Sequence, residues 1–114
     1  MYERPFNNAD ALTAPLRERW EQLLSLSAEA DIRLSLYETV RSAERQRQLV
    51  EQGYSRRAHS RHQDGAAFDV RVKGHAEPEA VELMTHVVGP LGENIGLKWG
   101  GRWADPFDPF HFEM

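Results

Sequence analysis

The chain has 114 residues, 40% of them apolar and 28% charged, with a formal charge of -4. That length fits one compact domain, and the composition excludes a disordered, collagen-like or coiled-coil chain. The absence of cysteine removes disulfides, Cys-type zinc fingers and thiol nucleophiles, while the negative balance disfavours nucleic acid and anionic membranes as partners.

Residues 1–12 read as an irregular lead-in, anchored at most by Tyr2 and Phe6. Thr13 and Pro15 then mark a helix start, since Pro is tolerated in a first turn. Leu16, Trp20, Leu23 and Leu24 recur at helical spacing and predict one apolar stripe running to about Ser27. Ile32, Leu34 and Leu36 alternate with Arg33, Ser35 and Tyr37, the period of a half-buried strand. Ser42 caps a second predicted helix, with Leu49 and Val50 inward and Gly53 at its end.

Gly53 to Asp64 is polar, basic and aperiodic, so it is expected to be a loop. Between positions 41 and 61, Arg41, Arg45, Arg47, Arg56, Arg57 and Arg61 outnumber Glu44 and Glu51. They suit either a solvated surface or a carboxylate-rich ligand. Ala66, Phe68, Val70 and Val72 give the clearest strand pattern. Pro78 opens a third helix carrying Val81, Met84, Val87 and Val88, which Gly89-Pro90 is expected to stop. From Leu97 onward, short strand-like pieces are interrupted by Gly100-Gly101, Pro106 and Pro109. The mixture predicts an α+β fold, with helices packed on one face of a small, largely antiparallel sheet.

Alternation also orients the polar residues. If Phe68 and Val70 are buried, Asp69 points to the opposite face, and His111 does the same between Phe110 and Phe112. His62 precedes the first of these strands, with Gly65 allowing a turn back above it. Two imidazoles and a carboxylate are donor types suited to zinc, whose catalytic sites usually keep three protein ligands and one open position. Such spacings also arise by chance, leaving three unrelated surface residues as the plain alternative.

The string Ser60-Arg61-His62-Gln63-Asp64-Gly65-Ala66-Ala67-Phe68-Asp69 resembles the S-x-H-x-x-G-x-A-x-D motif of a zinc peptidase family with the hedgehog/DD-peptidase fold. That family includes D-alanyl-D-alanine carboxypeptidases, dipeptidases and L-alanyl-D-glutamate endopeptidases. Asp108-Pro109-Phe110-His111 is similar to its second element, D/E-x-x-H. Tyr37 to Ser42, followed by Gln46, looks like its Arg-Ser segment.

The resemblance implies a zinc cofactor with His62, Asp69 and His111 as ligands. It also implies Asp108 as general base, Arg41 as the cation at the substrate carbonyl, and Ser60 in substrate binding or loop shaping. A strand-end ion pair of Arg41 with Glu38 or Glu44 is the plainer alternative. Glu113 is a candidate to orient a ligand histidine, whereas His75 and His86 read as surface histidines. Trp99-Gly100-Gly101-Arg102-Trp103 resembles the endopeptidase branch. Its glycines suit positive φ or close approach of a ligand, and at least one of its tryptophans is expected in the core.

The function implied is hydrolysis of peptidoglycan stem peptides, foremost at L-alanyl-D-glutamate. A D-alanyl-D-alanine carboxypeptidase and a non-catalytic zinc-binding module are the alternatives. A single catalytic domain over 1–114 without a wall-binding domain is expected, acting as a monomer on the stem peptide. No apolar run approaches ~18 residues and no leader pattern opens the sequence. The expected location is therefore the cytoplasm until release to the cell wall, without membrane insertion.

Overall fold

The computed structural model describes residues 5–55 and 60–114. Tyr2, Arg56, Arg57 and His59 lie outside the described residues.

Helix α1 spans Ala14–Glu29, with Pro15 in its first turn and Leu16, Trp20, Leu23 and Ser27 buried. Leu24 instead faces outward, because the stripe follows the strict 3.6-residue period and passes to Ser27. The lead-in is better anchored than expected. It holds a short 3-10 turn at Ala9–Ala11, and Leu12 is buried in the core. Phe6 leaves its ring half exposed, but its carbonyl accepts the Thr39 N–H at 2.7 Å.

Four strands, β1 (Leu34–Glu38), β2 (Ala67–Val72), β3 (Lys98–Trp99) and β4 (His111–Glu113), form a sheet in the order β1-β2-β4-β3. All three pairings are antiparallel. Phe68, Val70 and Phe112 turn one sheet face toward α1 and toward Ala80, Met84 and Val88. Trp20 meets Phe68 edge-on at 5.5 Å between ring centroids, and Phe68 stacks on Phe112 at 5.5 Å. Burial of each such side chain contributes about 1.5–3 kcal/mol.

Helices α3 (Glu77–Leu83) and α4 (Gly89–Asn94) are joined by a π-helical turn at Met84–Val88. Gly89-Pro90 therefore does not stop the helix. Pro90 occupies the first turn of α4, where its missing N–H costs little, and the wider turn before it absorbs the lost bond. Helix α2 (Ala43–Glu51) buries Gln46 and Gln48 and leaves Val50 exposed, reversing the expected inward position of Val50. The buried amides are satisfied by polar neighbours, Gln46 by Arg41 and Ser55 and Gln48 by Glu44. Among the described residues no helix is long and apolar enough to cross a membrane.

Candidate active site

The sheet register assembles the polar face opposite the core. Asp69 lies directly across from His111, and Ala67 across from Glu113. Alternation places all four on the side away from Phe68 and Phe112. Ala67 is fully buried, and its small side chain leaves room for the long Glu113.

The third member arrives on a structured turn. Ser60 caps the 3-10 segment Arg61–Asp64, its hydroxyl accepting the His62 N–H at 3.2 Å while Gln63 accepts the Ser60 N–H at 2.8 Å. Gly65 ends the segment in the left-handed region, at φ 68°. A Cβ there would also lie 2.8 Å from the Ala11 carbonyl. The Gly65 carbonyl accepts the Thr13 N–H at 3.1 Å, tying the turn to the start of α1. The spacing from Ser60 to Asp69 is thus a cap, a turn bearing His62, a left-handed stop and a strand.

His62, Asp69 and His111 each offer one ligating atom, all within 4.8 Å of one another. His62 Nδ1 donates to the Thr39 carbonyl at 3.1 Å, which fixes its tautomer and leaves the Nε2 lone pair free. That Nε2 is buried without a hydrogen-bond partner, although it stands 3.3 Å from Asp69 Oδ1. With the proton on Nδ1, both of these atoms are acceptors, so no hydrogen bond joins them. A buried acceptor with no donor is costly, and a cation shared with Asp69 removes that cost. His111 Nδ1 lies 2.9 Å from the same Oδ1, and its Nε2 donates to Glu113 at 2.9 Å. The donor set of two imidazoles and one carboxylate fits zinc. Glu113, in turn paired with Arg61 at 3.4 Å, orients His111 as the sequence suggested.

The electrostatics follow from this packing. Burial opposes ionisation of Asp69, but the two imidazoles beside it hold it well below the usual carboxylate range. Burial also opposes protonation of His111. Its hydrogen bonds to Asp69 and Glu113 prevail and raise it to about 9. Asp108 is pushed above the ordinary carboxylate range, first by burial and then by the charge of Asp69.

Asp108 Oδ2 stands 3.9 Å from His111 Nδ1, beside the trio. Its loop is pinned by the Asp108 N–H to the Gly100 carbonyl at 3.1 Å and by Trp99 Nε1 to the Pro109 carbonyl at 2.7 Å. The glycine at 100 serves a close approach, but to the Asp108 carbonyl rather than to a ligand, and neither Gly100 nor Gly101 takes positive φ. Trp99 is core, whereas Trp103 walls the cleft and packs on the His111 ring at 5.0 Å between centroids. Gly100→Ala is therefore expected to cost about 1–3 kcal/mol and to displace Asp108. Thermal melting and turnover should both fall, and unchanged values of both would show that the turn does not depend on this contact.

Arg41 forms the ion pair weighed from the sequence and also stands at the cleft wall. Its Nη2 pairs with Glu38 at 2.6 Å, yet lies 3.8 Å from Asp69 Oδ2 at the cleft wall. Its Nη1 donates to Gln46 at 2.7 Å and reaches Ser60 at 3.4 Å. Glu38, buried and paired with Arg45 as well, holds this arrangement. The register shift between Leu36 and Glu38 sets Glu38 opposite Asp69, as bulges beside functional sites do. Glu38, Arg41, Arg45, Ser60 and Asp69 line a cleft of about 620 Å³.

Three comparisons with known proteins converge on this architecture. The L-alanyl-D-glutamate peptidase of Listeria phage A118 is 27% identical over 121 aligned residues, a match taking in 99% of this chain but 41% of that protein. The chain thus spans about two fifths of the relative's length. Serratia marcescens L-Ala D-Glu endopeptidase ChiX superposes with a TM-score of 0.72 at 26% identity, covering 94% of this chain and 83% of that one. The vancomycin resistance D,D-pentapeptidase VanY, in complex with Zn(II), superposes with a TM-score of 0.62 at 14% identity. It covers 90% of this chain and 71% of that one, and its likeness is one of fold. Residues 53–114, which carry the turn, the ligand strands and Asp108, match the model of the D-alanyl-D-alanine carboxypeptidase family. The chain belongs to that peptidase family.

Proposed function

We propose that this chain is a zinc peptidase acting on peptidoglycan stem peptides, and that it cuts the L-alanyl-D-glutamate bond. One juxtaposition carries the reading. The buried trio of His62, Asp69 and His111 has a carboxylate, Asp108, on one side and a guanidinium, Arg41, on another. The trio holds the zinc, which when bound supplies a Lewis acid that makes water nucleophilic near neutral pH. Asp108 accepts the attacking water's proton and passes it to the leaving nitrogen as the C–N bond breaks. Arg41, fixed by Glu38 and Gln46, presents N–H groups to the oxygen on which charge develops. Ser60 keeps its hydroxyl at the cleft wall, where it contacts the substrate as well as capping its turn. A structural zinc module has no need of a further carboxylate beside its ligands, so Asp108, 3.9 Å from His111, weighs against that reading.

The L-alanyl-D-glutamate assignment draws on the phage A118 peptidase and on ChiX, both named for that bond. Digestion of purified muropeptides by the zinc-loaded protein, read by mass, tests it. Fragments with a new D-glutamyl amine are expected. Release of only a terminal D-alanine would replace the endopeptidase with a carboxypeptidase, and zinc binding without any cleavage would leave a binding module.

A further inference from the structure

Beside the cleft lies a second groove of about 600 Å³, bounded by Tyr37, Arg71, Glu77 and Phe110 and opening onto Asp69 and Asp108 at its inner end. The two hollows share Tyr37, Tyr54, Asp69 and Asp108, so they form one channel divided at the reacting centre. Arg41, which faces the carbonyl oxygen, lines only the first; Asp108, which protonates the leaving nitrogen, lines both. An amide laid across the centre therefore puts its acyl part in the first hollow and its leaving residue in the second.

Charge along this channel is uneven. In the first hollow Glu38 pairs with both Arg41 and Arg45. In the second, the exposed Arg71 is held over the Tyr37 ring at 4.2 Å, and among the described residues no carboxylate pairs with it. His75 is turned to Glu79 at 3.1 Å. Glu77, on the same wall as His75, repels an anion placed further out. Asp69 and Arg71 share one face of β2, about 7 Å apart along the strand. The α-carboxyl carbon of a leaving residue is two bonds from the nitrogen released, within reach of a guanidinium anchored one such step from a metal ligand.

We propose that Arg71 is the specificity-determining residue of the leaving side, binding the α-carboxylate of the residue whose nitrogen is released. A guanidinium pairs with a carboxylate through two charge-assisted hydrogen bonds, whereas a primary amide turns donors toward donors. The chain should thus prefer stem peptides carrying free D-glutamate over those carrying D-isoglutamine. This inference rests on the peptidase reading above.

The test compares wild type, Arg71→Ala and Arg71→Lys, all zinc-loaded, on two synthetic peptides that differ only in that carboxylate or its amide. Loss of this charge-assisted pair at an exposed, solvent-screened site predicts about a tenfold fall in kcat/KM on the glutamate peptide for Arg71→Ala. It predicts little change on the isoglutamine peptide and partial rescue by Arg71→Lys. Equal loss on both peptides, or no loss on either, overturns the assignment. Binding of the product dipeptide γ-D-glutamyl-lysine and of its α-amide, read by ligand NMR, gives a second measure independent of turnover. If wild type cleaves neither peptide, the peptidase reading falls, and the binding measure alone decides on Arg71. Preference for the acid that Arg71→Ala abolishes upholds it, and equal binding of acid and amide overturns it.

Discussion

Asp108→Asn is expected to abolish most peptide cleavage while leaving the metal in place. Asn keeps the size of the side chain and the backbone bonds that pin this loop to Gly100, so the turn survives. What disappears is an acceptor for the water's proton. General-base groups contribute roughly 10²–10⁴ in rate, and kcat should fall by that order with KM little changed. Zinc content, measured by atomic absorption, should match wild type, because the trio is untouched. The acid limb of the wild-type pH–rate profile should vanish in the variant. Burial and the charge of Asp69 raise Asp108, while a cation on the trio pulls it back down; the limb reports the balance of the two. Normal turnover by Asp108→Asn would remove Asp108 from the mechanism.

Removing the metal should make stability depend on pH in a window that the loaded protein lacks. In the metal-free protein His111 is raised to about 9 against an ordinary value of 6.5. Its contribution is full below the ordinary value and is lost as the pH climbs through about 9. Asp69 is lowered from 3.8, so its contribution holds above that value and is lost as the pH falls below it. The chelated protein should therefore melt at progressively lower temperature from about pH 6.5 to 9. Metal demands the neutral imidazole, so loading at neutral pH should expel about one proton from His111. Titration calorimetry in buffers of different ionisation enthalpy counts that proton. At zinc a thousandfold above its dissociation constant the gain is about 4 kcal/mol, and it should widen as the pH rises. A flat melting profile together with no proton released would show that His111 is already neutral in the metal-free protein at neutral pH.

Much of the site was legible because strand alternation is a local rule. Phe68 and Val70 had to face the core, so Asp69 could not; the same held for His111 beside Phe112. The turn at Gly65 was legible too, but the capped 3-10 segment Arg61–Asp64 before it was read as plain loop, because so short a helix leaves no periodic pattern. On α2 the inward position of Val50 was misread because Gln46, satisfied by Arg41 and Ser55, takes the buried position instead. The stop at Gly89-Pro90 was misread because a proline can begin a new turn once the preceding one widens to π geometry.

By itself, then, the sequence determined the fold class, the donor types and which way the residues of β2 and β4 point, since these follow from short-range periodicity and from the chemistry of individual side chains. Tertiary structure alone decided what depends on pairing between distant segments. The register shift in β1 delivers Glu38 to Arg41, the contact of Gly100 with the Asp108 loop sets the acid beside the trio, and Trp103 rather than Trp99 walls the cleft. Pairing of that kind leaves no periodic trace, because each partner's position is fixed by packing against residues far away along the chain.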